Sequence, residues 1–589
     1  MHRSLMFCEE MVAQSDSKTK SRPPSSTWTQ QFLLFALFFA GLMLLHAPLL
    51  RLPYFWDEAG YYVPAARDLF LTGTLIPQST PSNAHPPLVM AWLALAWRVF
   101  GYSTLVTRTA MLALSAFSLL GLFRLLRMAT AANLPIAWAT TVLVALYPVY
   151  FTQSSMAQVD LPAAGFTFWA LAAYIQDRPW QQVLWFSLAA LTKETAILAP
   201  LALSAWELVA YLIRRRWKEN RGKEILPPEG RRTRLQHLLL PVVPLAGWYA
   251  YHYSKTGFLL GNPEFFRYNV AATLNPLRIP LALAMRLWQL FGYFGLYLLT
   301  LAALLAMLRP PQMQQTEKKT EVSLARKRIP FWIQAAFLAV LLAYLGFMSV
   351  VGGAVLARYM LPVVPLVILE LVSTLWRRVR YWKMIVGAVA VAFVAGLFSN
   401  PPYGFSLEDN LAYRDYVVMH AEASRFLALR YSGQRVLTAW PASDELTRPW
   451  LGYVDASQRF RIARIEDFSF GQILLAAQAR NQFDVALVFS TKYVPPHPLF
   501  ENWVAWQRVK ETFFGYHRDL LPEDIAQRLG GTIVYHKDQN GQWIAVIAVE
   551  REEDAKVPSL SHPHQMAGMR LNHDPDGFAG PQLESIARR

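Results

Sequence analysis

The feature that most limits what this chain can become is a series of apolar runs, each near bilayer length, separated by short polar or basic connections. They fall at 32–50, 105–126, 134–151, 161–175, 238–253, 279–308, 331–351, 359–375 and 384–399. About 20 apolar helical residues cover roughly 30 Å of hydrocarbon, and no single soluble core can shelter so many such segments. The sequence therefore predicts an α-helical polytopic membrane bundle. Segment 182–213 is long enough for one tilted helix, but Lys193 and Glu194 stand at its middle, where unpaired charge is costly. It reads as two short, broken helices whose junction lines a polar cavity, which brings the expected count to about eleven spans. The run 88–100 reads as an interfacial helix packed on the bundle, because counting it as a span would put Arg124 and Arg127 on the wrong side.

Charge sets the orientation. The formal net charge is +16, yet the basic residues lie in short blocks between apolar runs rather than on one surface, a pattern that excludes a nucleic-acid reader. Arg214–Arg234 holds nine Lys/Arg against three Glu, and further blocks occupy Arg309–Arg328 and Arg377–Lys383. Such loops stay cytoplasmic. The N-terminus then lies inside and the C-terminus outside. The polar start, with Lys18, Lys20 and Arg22 ahead of the run 32–50, superficially resembles a secretory signal. The run is too long for one and lacks a small-residue cleavage site, so it is expected to be a retained first helix. Cys8 is the lone cysteine, which leaves no intramolecular disulfide to hold an exported domain.

After Ser399 the texture changes. Short β-rich runs (435–439, 484–489) flank the helical composition of 470–482, and 531–550 reads as a hairpin turning near Asn540-Gly541. The expected organisation is a disordered cytoplasmic N-terminus (1–28), a transmembrane domain (29–400), a small exported α/β domain (401–551) and a disordered tail (552–589).

Chemistry-bearing residues gather next to the spans. Asp57 and Glu58 follow the first helix, ahead of Ala65-Ala66-Arg67-Asp68-Leu69, a Gly73 stop and His85-Pro86-Pro87-Leu88. Two adjacent carboxylates here can serve a cavity at the bilayer surface, though an Asp at a helix start also serves as a cap. Asp160, two residues before Pro162, carries the same ambiguity. Lys193 lies inside an apolar segment and is a site candidate on that ground, its bland alternative being an ion pair with another intramembrane acid. Glu194 cannot be assumed to be its partner, since adjacent helical residues diverge. Arg358 stands at a helix end, where snorkelling is the alternative to phosphate binding. Aromatics such as Trp56, Tyr61, Tyr62, Tyr268 and Tyr359 fit an interfacial belt or a sugar contact. The segment 254–280, with Asn262, Glu264, Arg267, Tyr268 and Asn269, is expected to form a loop over the cavity. No nucleotide-binding fingerprint or phosphate loop is present. No cofactor is called for. Glu58 and His85 could hold a divalent metal, but without a dense His/Asp cluster around them.

In order along the chain, Asp57-Glu58, His85-Pro86-Pro87-Leu88, Asp160 in Gln158-Val159-Asp160-Leu161-Pro162, Leu191-Thr192-Lys193-Glu194 and Arg358-Tyr359-Met360-Leu361-Pro362 resemble the GT-C glycosyltransferases. The branch is glycosyltransferase family 39, with protein O-mannosyltransferases and bacterial aminoarabinose transferases, and the resemblance spans roughly residues 30–400. It implies a bacterial inner-membrane enzyme, a polyprenyl-phosphate sugar donor and a glycan, lipid or protein acceptor. It further implies Asp57 as catalytic base with Asp160 in the same cavity, and a substrate-binding set of Glu58, His85, Lys193, Glu194, Arg358 and Tyr359. Two departures stand out: Gly60 occupies the position of an arginine in aminoarabinose transferases, and His85 that of a lysine. A carrier that moves lipid-linked sugars without breaking a bond is the competing class, although the matching halves common in transporters are not visible.

Overall fold

The computed structural model describes residues 28–216, 224–263, 266–267, 270–314, 324–495 and 503–549. Residues 1–27 and 550–589, which hold nearly all of the two expected disordered ends, lie outside them, as do 217–223 and 315–323 within two basic loops and Glu264, Tyr268 and Asn269 of the expected cavity loop.

Among the described residues, five helical stretches are long and apolar enough to cross a membrane: Trp28–Leu49, Thr104–Ala129, Glu194–Arg216, Arg278–Met307 and Phe331–Val350. The remaining apolar helices expected as spans are shorter, among them Leu134–Leu146 and Trp382–Phe398. By length and composition the structure therefore supports an integral membrane bundle. The helix Leu88–Phe100 has 13 residues, a reach of about 20 Å that falls short of the hydrocarbon thickness.

Local chemistry explains the boundaries. Ser103 accepts a hydrogen bond from the Val106 amide (3.2 Å) and caps Thr104–Ala129, satisfying a donor the helix cannot pair internally. Gly73, at φ +76°, ends Val63–Thr72 in the left-handed conformation glycine tolerates best. Segment 182–213 breaks at Lys193, whose extended backbone (φ −147°, ψ 130°) separates Pro179–Thr192 from a short turn and the helix Leu198–Arg216. Helices Thr104–Ala129 and Asp160–Ile175 approach so closely that a Cβ on Gly165 would lie 2.7 Å from the Ser118 Cβ, the small-residue contact by which apolar helices associate in lipid.

Beyond Phe398 the chain crosses a short acidic turn, Leu407–Asp409, and the helix Ala412–Arg430 before entering a five-stranded sheet. Its strands are β1 (Arg435–Ala439), β2 (Arg461–Ile465), β3 (Val485–Phe489), β4 (Gly531–Gln539) and β5 (Gln542–Val549). The order is β2-β1-β3-β5-β4. β1 pairs parallel with β2 and β3, β5 runs antiparallel to β3, and the β4–β5 hairpin closes the edge. That hairpin turns at Asn540-Gly541, both at positive φ (52° and 79°), the tight turn whose twist matches the strands it joins. β3 is buried along its length, as expected of a strand covered on both faces. β2, exposed at the edge, escaped the sequence reading because Arg461 and Arg464 break its apolar run.

The sheet is not a separate body. One apolar cluster joins Tyr54, Phe55, Val63, Met111 and Phe151 to Tyr413, Tyr416, Val436, Leu437 and Val485. Backbone and side chain stitch the same seam: Tyr54 N–H donates to the Leu451 carbonyl (3.3 Å), Tyr453 to the Tyr54 carbonyl (2.9 Å) and Tyr102 to the Trp450 carbonyl (2.8 Å). The core thus runs across the sequence boundary at residue 400.

Candidate active site

The residues singled out by sequence fall into one charged cluster and two side pairs. At the centre is Arg358, only 2% exposed and held in a turn, Ala357–Met360, between the helices Phe331–Val350 and Val364–Arg378. Its Nη2 donates to Asp57 Oδ2 at 2.5 Å, its Nε lies 3.2 Å from Asp160 Oδ2, and its Nη1 pairs with Glu408. Lys193 Nζ pairs with the other Asp160 oxygen. The Tyr359 ring packs among the cations, with Lys193 Nζ 3.9 Å and the Arg286 guanidinium 5.5 Å from its centre, contacts in which the ring quadrupole favours positive charge. Asp57, Asp160, Lys193, Arg358 and Tyr359 therefore meet, although more than 300 residues separate the first from the last.

Asp57 begins a turn, but its side chain makes no capping bond; the carboxylate goes to Arg358 and stays 24% exposed. Asp160 opens its helix and spends both oxygens on cations rather than on the helix end. Arg358 does not snorkel. The break at Lys193 turns neighbours apart: Lys193 faces Asp160, while Glu194 Oε2 meets His85 Nδ1 at 2.8 Å. That second pair flanks the cluster, His85 stacking on Tyr62 at 5.9 Å. Glu58 lies apart from the open side. Fully buried, it pairs with Arg108 and accepts from the Phe55 and Ala157 amides at 3.0 and 2.5 Å. Its four acceptor sites are taken up, so Glu58 anchors the first loop. Glu58 and His85 thus hold different partners. Among the described residues no group of three or more His, Cys, Asp or Glu is placed to hold a metal.

Three residues of the cluster were not found by sequence. Glu408 brings a third carboxylate to Arg358 and is itself held by Gln158 Nε2 (2.9 Å), while its carbonyl accepts from Thr152 (2.6 Å). Asp409 is buried beside it, accepting from Tyr293 at 2.7 Å. Burial and the neighbouring Glu408 charge push the Asp409 carboxyl up to about 8. The available signal was an acidic pair just after the last apolar run, mirroring the pair after the first. Arg286 is the third. It lies fully buried within Arg278–Phe291, and its hydrogen bonds go to neutral acceptors, the Met348 and Leu356 carbonyls and Gln289 Oε1, at 3.3, 2.6 and 2.8 Å. Its Nη2 is buried with no hydrogen-bond partner. A buried guanidinium among neutral groups is poised for an anion.

Asn262, in the expected cavity loop, donates twice to the Ser82 carbonyl, each at 3.2 Å, and His252 Nε2 lies 2.8 Å from Ser82 Oγ. These contacts tie the described part of that loop to the stretch preceding His85.

No protein-family model and no curated protein matches the sequence. Similar solved structures include ArnT from Cupriavidus metallidurans bound to undecaprenyl phosphate, at 14% identity and a TM-score of 0.46 over 88% of this chain and 98% of that one. The archaeal oligosaccharyltransferase AglB from Archaeoglobus fulgidus, in complex with an inhibitory peptide and a dolichol-phosphate, matches at 11% identity and TM-score 0.42, over 90% and 75% of the two chains. The mycobacterial arabinofuranosyltransferase AftD matches at 13% and 0.41, over 90% of this chain and 40% of that one. At such identities and scores, the role of each residue rests on this chain's own geometry.

Proposed function

We propose that this protein is a membrane glycosyltransferase that moves a sugar from a polyprenyl-phosphate donor to a glycan, lipid or protein acceptor on the non-cytoplasmic face. The N-terminus then lies in the cytoplasm, the sheet lies outside, and a bacterial inner membrane is the expected location. The observation that carries the reading is the junction of a partly open carboxylate, Asp57, with the buried cations Arg358 and Lys193 through Asp160.

The chemistry needs little more. An acceptor hydroxyl attacks the anomeric carbon as its proton passes to Asp57, the carbon–oxygen bond to phosphate breaks, and the electron pair leaves on the phosphate oxygen. One base is enough for such an inverting displacement, and general-base assistance contributes about 10²–10⁴-fold. The departing anion is countered by Lys193, Arg358 and Arg286, whose charges count for more in a dry site than in water. Arg358 links the two halves: once Asp57 takes a proton its hold on the guanidinium weakens, and Nη2 is released toward the leaving group. Asp160 and Glu408 keep the guanidinium in place meanwhile.

The test is a radiolabelled polyprenyl-phosphate sugar supplied to the purified full chain. Release of polyprenyl phosphate with label appearing on an acceptor is expected, and Asp57→Asn should lower it by about 10²–10⁴-fold while the protein still inserts and folds. Full activity in that variant removes Asp57 from the mechanism. Movement of intact donor across the membrane with no bond cleavage makes the protein a carrier instead.

A further inference from the structure

The turn that carries Asp57 meets the sheet domain through aromatic rings. Trp440 directly follows β1. Its ring lies 5.1 Å from that of Trp56, nearly perpendicular, and 6.3 Å from that of Tyr61. All three side chains are only partly buried, in contrast to Phe55 and Tyr62 beside them. The seam is tightly specified. A Cβ on Gly60 would stand 2.5 Å from Trp440 Cζ2, so the indole fills the space any side chain at 60 would need. Trp56 is held at φ +40°, a conformation costly for a bulky residue. It persists because the loop is pinned on both sides, by the Glu58 carboxylate on the Phe55 amide and by the Gly60 amide on the Trp56 carbonyl (2.9 Å).

Three amphipathic rings left partly open, two of them on the loop that carries the partly open Asp57 carboxylate and the third packed against that pair, form an aromatic wall beside the proposed base. The donor phosphate belongs with Arg286, Lys193 and Arg358, and in a displacement with inversion the attacking group approaches from the face away from the leaving phosphate. The wall adjoins the loop of the base that must meet the acceptor, and it adds no cation for the donor phosphate. Its chemistry is that of a saccharide platform: the C–H bonds on one face of a sugar ring are slightly positive and pack on the negative face of an indole, while the hydroxyls at the ring edge remain free for a base.

We infer that Trp440, with Trp56 and Tyr61, forms a subsite for a sugar ring of the acceptor, so that the sheet domain supplies part of the acceptor specificity. The inference rests on the glycosyl-transfer reading and names its acceptor class as a carbohydrate, or a glycolipid presenting one, in preference to a bare protein hydroxyl.

The experiment uses the full chain in lipid nanodiscs and reads binding, not turnover. Saturation-transfer NMR is recorded with methyl glycosides of glucose, mannose, galactose and arabinose at millimolar concentration. At least one should bind the parent. Trp440→Leu, which keeps an apolar filler but loses the π face, should weaken that binding about ten-fold, and Trp440→Phe should restore most of it. A purely structural tryptophan would lower the thermal midpoint of the Leu variant and leave its glycoside binding at the parental level. Equal binding by parent and Leu variant, or no glycoside bound by the parent, overturns the subsite. Polyprenyl-phosphate release by the parent is measured separately on the same preparation; its absence sinks the glycosyl-transfer reading whatever the binding shows.

Discussion

Asp57 and Glu58 are neighbours with opposite tasks, and their surroundings decide which is which. Asp57 keeps a quarter of its side chain open and shares a guanidinium with two other acids. Glu58 has no exposed surface and one dedicated arginine. Removing one partner of a buried ion pair strands the other, at a cost of about 3–5 kcal/mol. Glu58→Gln should therefore lower the thermal midpoint of the purified protein sharply while the fraction that still folds turns over donor within a few-fold of the parent. Asp57→Asn should show the reverse: a near-parental midpoint and lost transfer. Equal thermal shifts for the two would erase the distinction. Side-chain identity at these positions was legible because charge inside or beside an apolar run is rare enough to be noticed. Their division of labour was not, since Arg108 sits within a helix whose sequence gives no hint of which loop it faces. Arg286 was hidden for a related reason, lying in the middle of a run read only for its hydropathy.

Among the elements, the broken segment around Lys193 was the most readable, because a charged dipeptide in hydrocarbon leaves the chain few choices besides a break and a buried partner. The hairpin at Asn540-Gly541 was readable for its turn chemistry. Edge strand β2 and the acidic turn Leu407–Asp409 were not: one lacks an apolar pattern, and the other is too short to have a period. The stretch around His517, across the carboxyl ends of the parallel strands, offers a test by pH. His517 Nε2 lies 3.1 Å from Asp467 Oδ2. The hydrogen bond to Asp467 outweighs partial burial and raises the imidazole above its ordinary value. On Asp467 burial works upward, but hydrogen bonds from His517 and Ser469 prevail and hold it well below the usual carboxylate range. A histidine with a raised value in the fold lends stability that is full below about pH 6.5 and fades as pH climbs through the folded value. Amide exchange around 517–520, where Thr491 and Leu520 N–H donate to Asp519 and the Phe468 carbonyl, should accelerate beyond its intrinsic base dependence as pH rises above about 6.5. His517→Gln should abolish that excess, and a flat profile in the parent would show that the pair does not hold the segment.

At the scale of the whole molecule, bundle and sheet depend on each other. The sheet side supplies Glu408 to Arg358, Asp409 to Tyr293 and Trp440 to the first loop, and the apolar cluster beneath is continuous. A chain ending at Pro401 should insert but show no transfer and a lowered thermal midpoint, and adding residues 402–589 as a separate chain should restore activity only if the two reassociate. Activity in the truncated chain alone would make Glu408 dispensable. Hydropathy revealed the bundle and a change of texture at Ser399, but the dependence across that point was illegible, since it arises from single residues scattered over many elements. The space between Gly60 and Trp440 illustrates what such dependence means for change over time. It admits one bulky group, delivered either from the loop or from the sheet domain. A long cationic side chain at 60 and an indole at 440 are thus mutually exclusive tenants, so the two positions should shift together. Exchanging them as a pair would trade an aromatic wall beside the base for a positive one, and with it the kind of molecule admitted there.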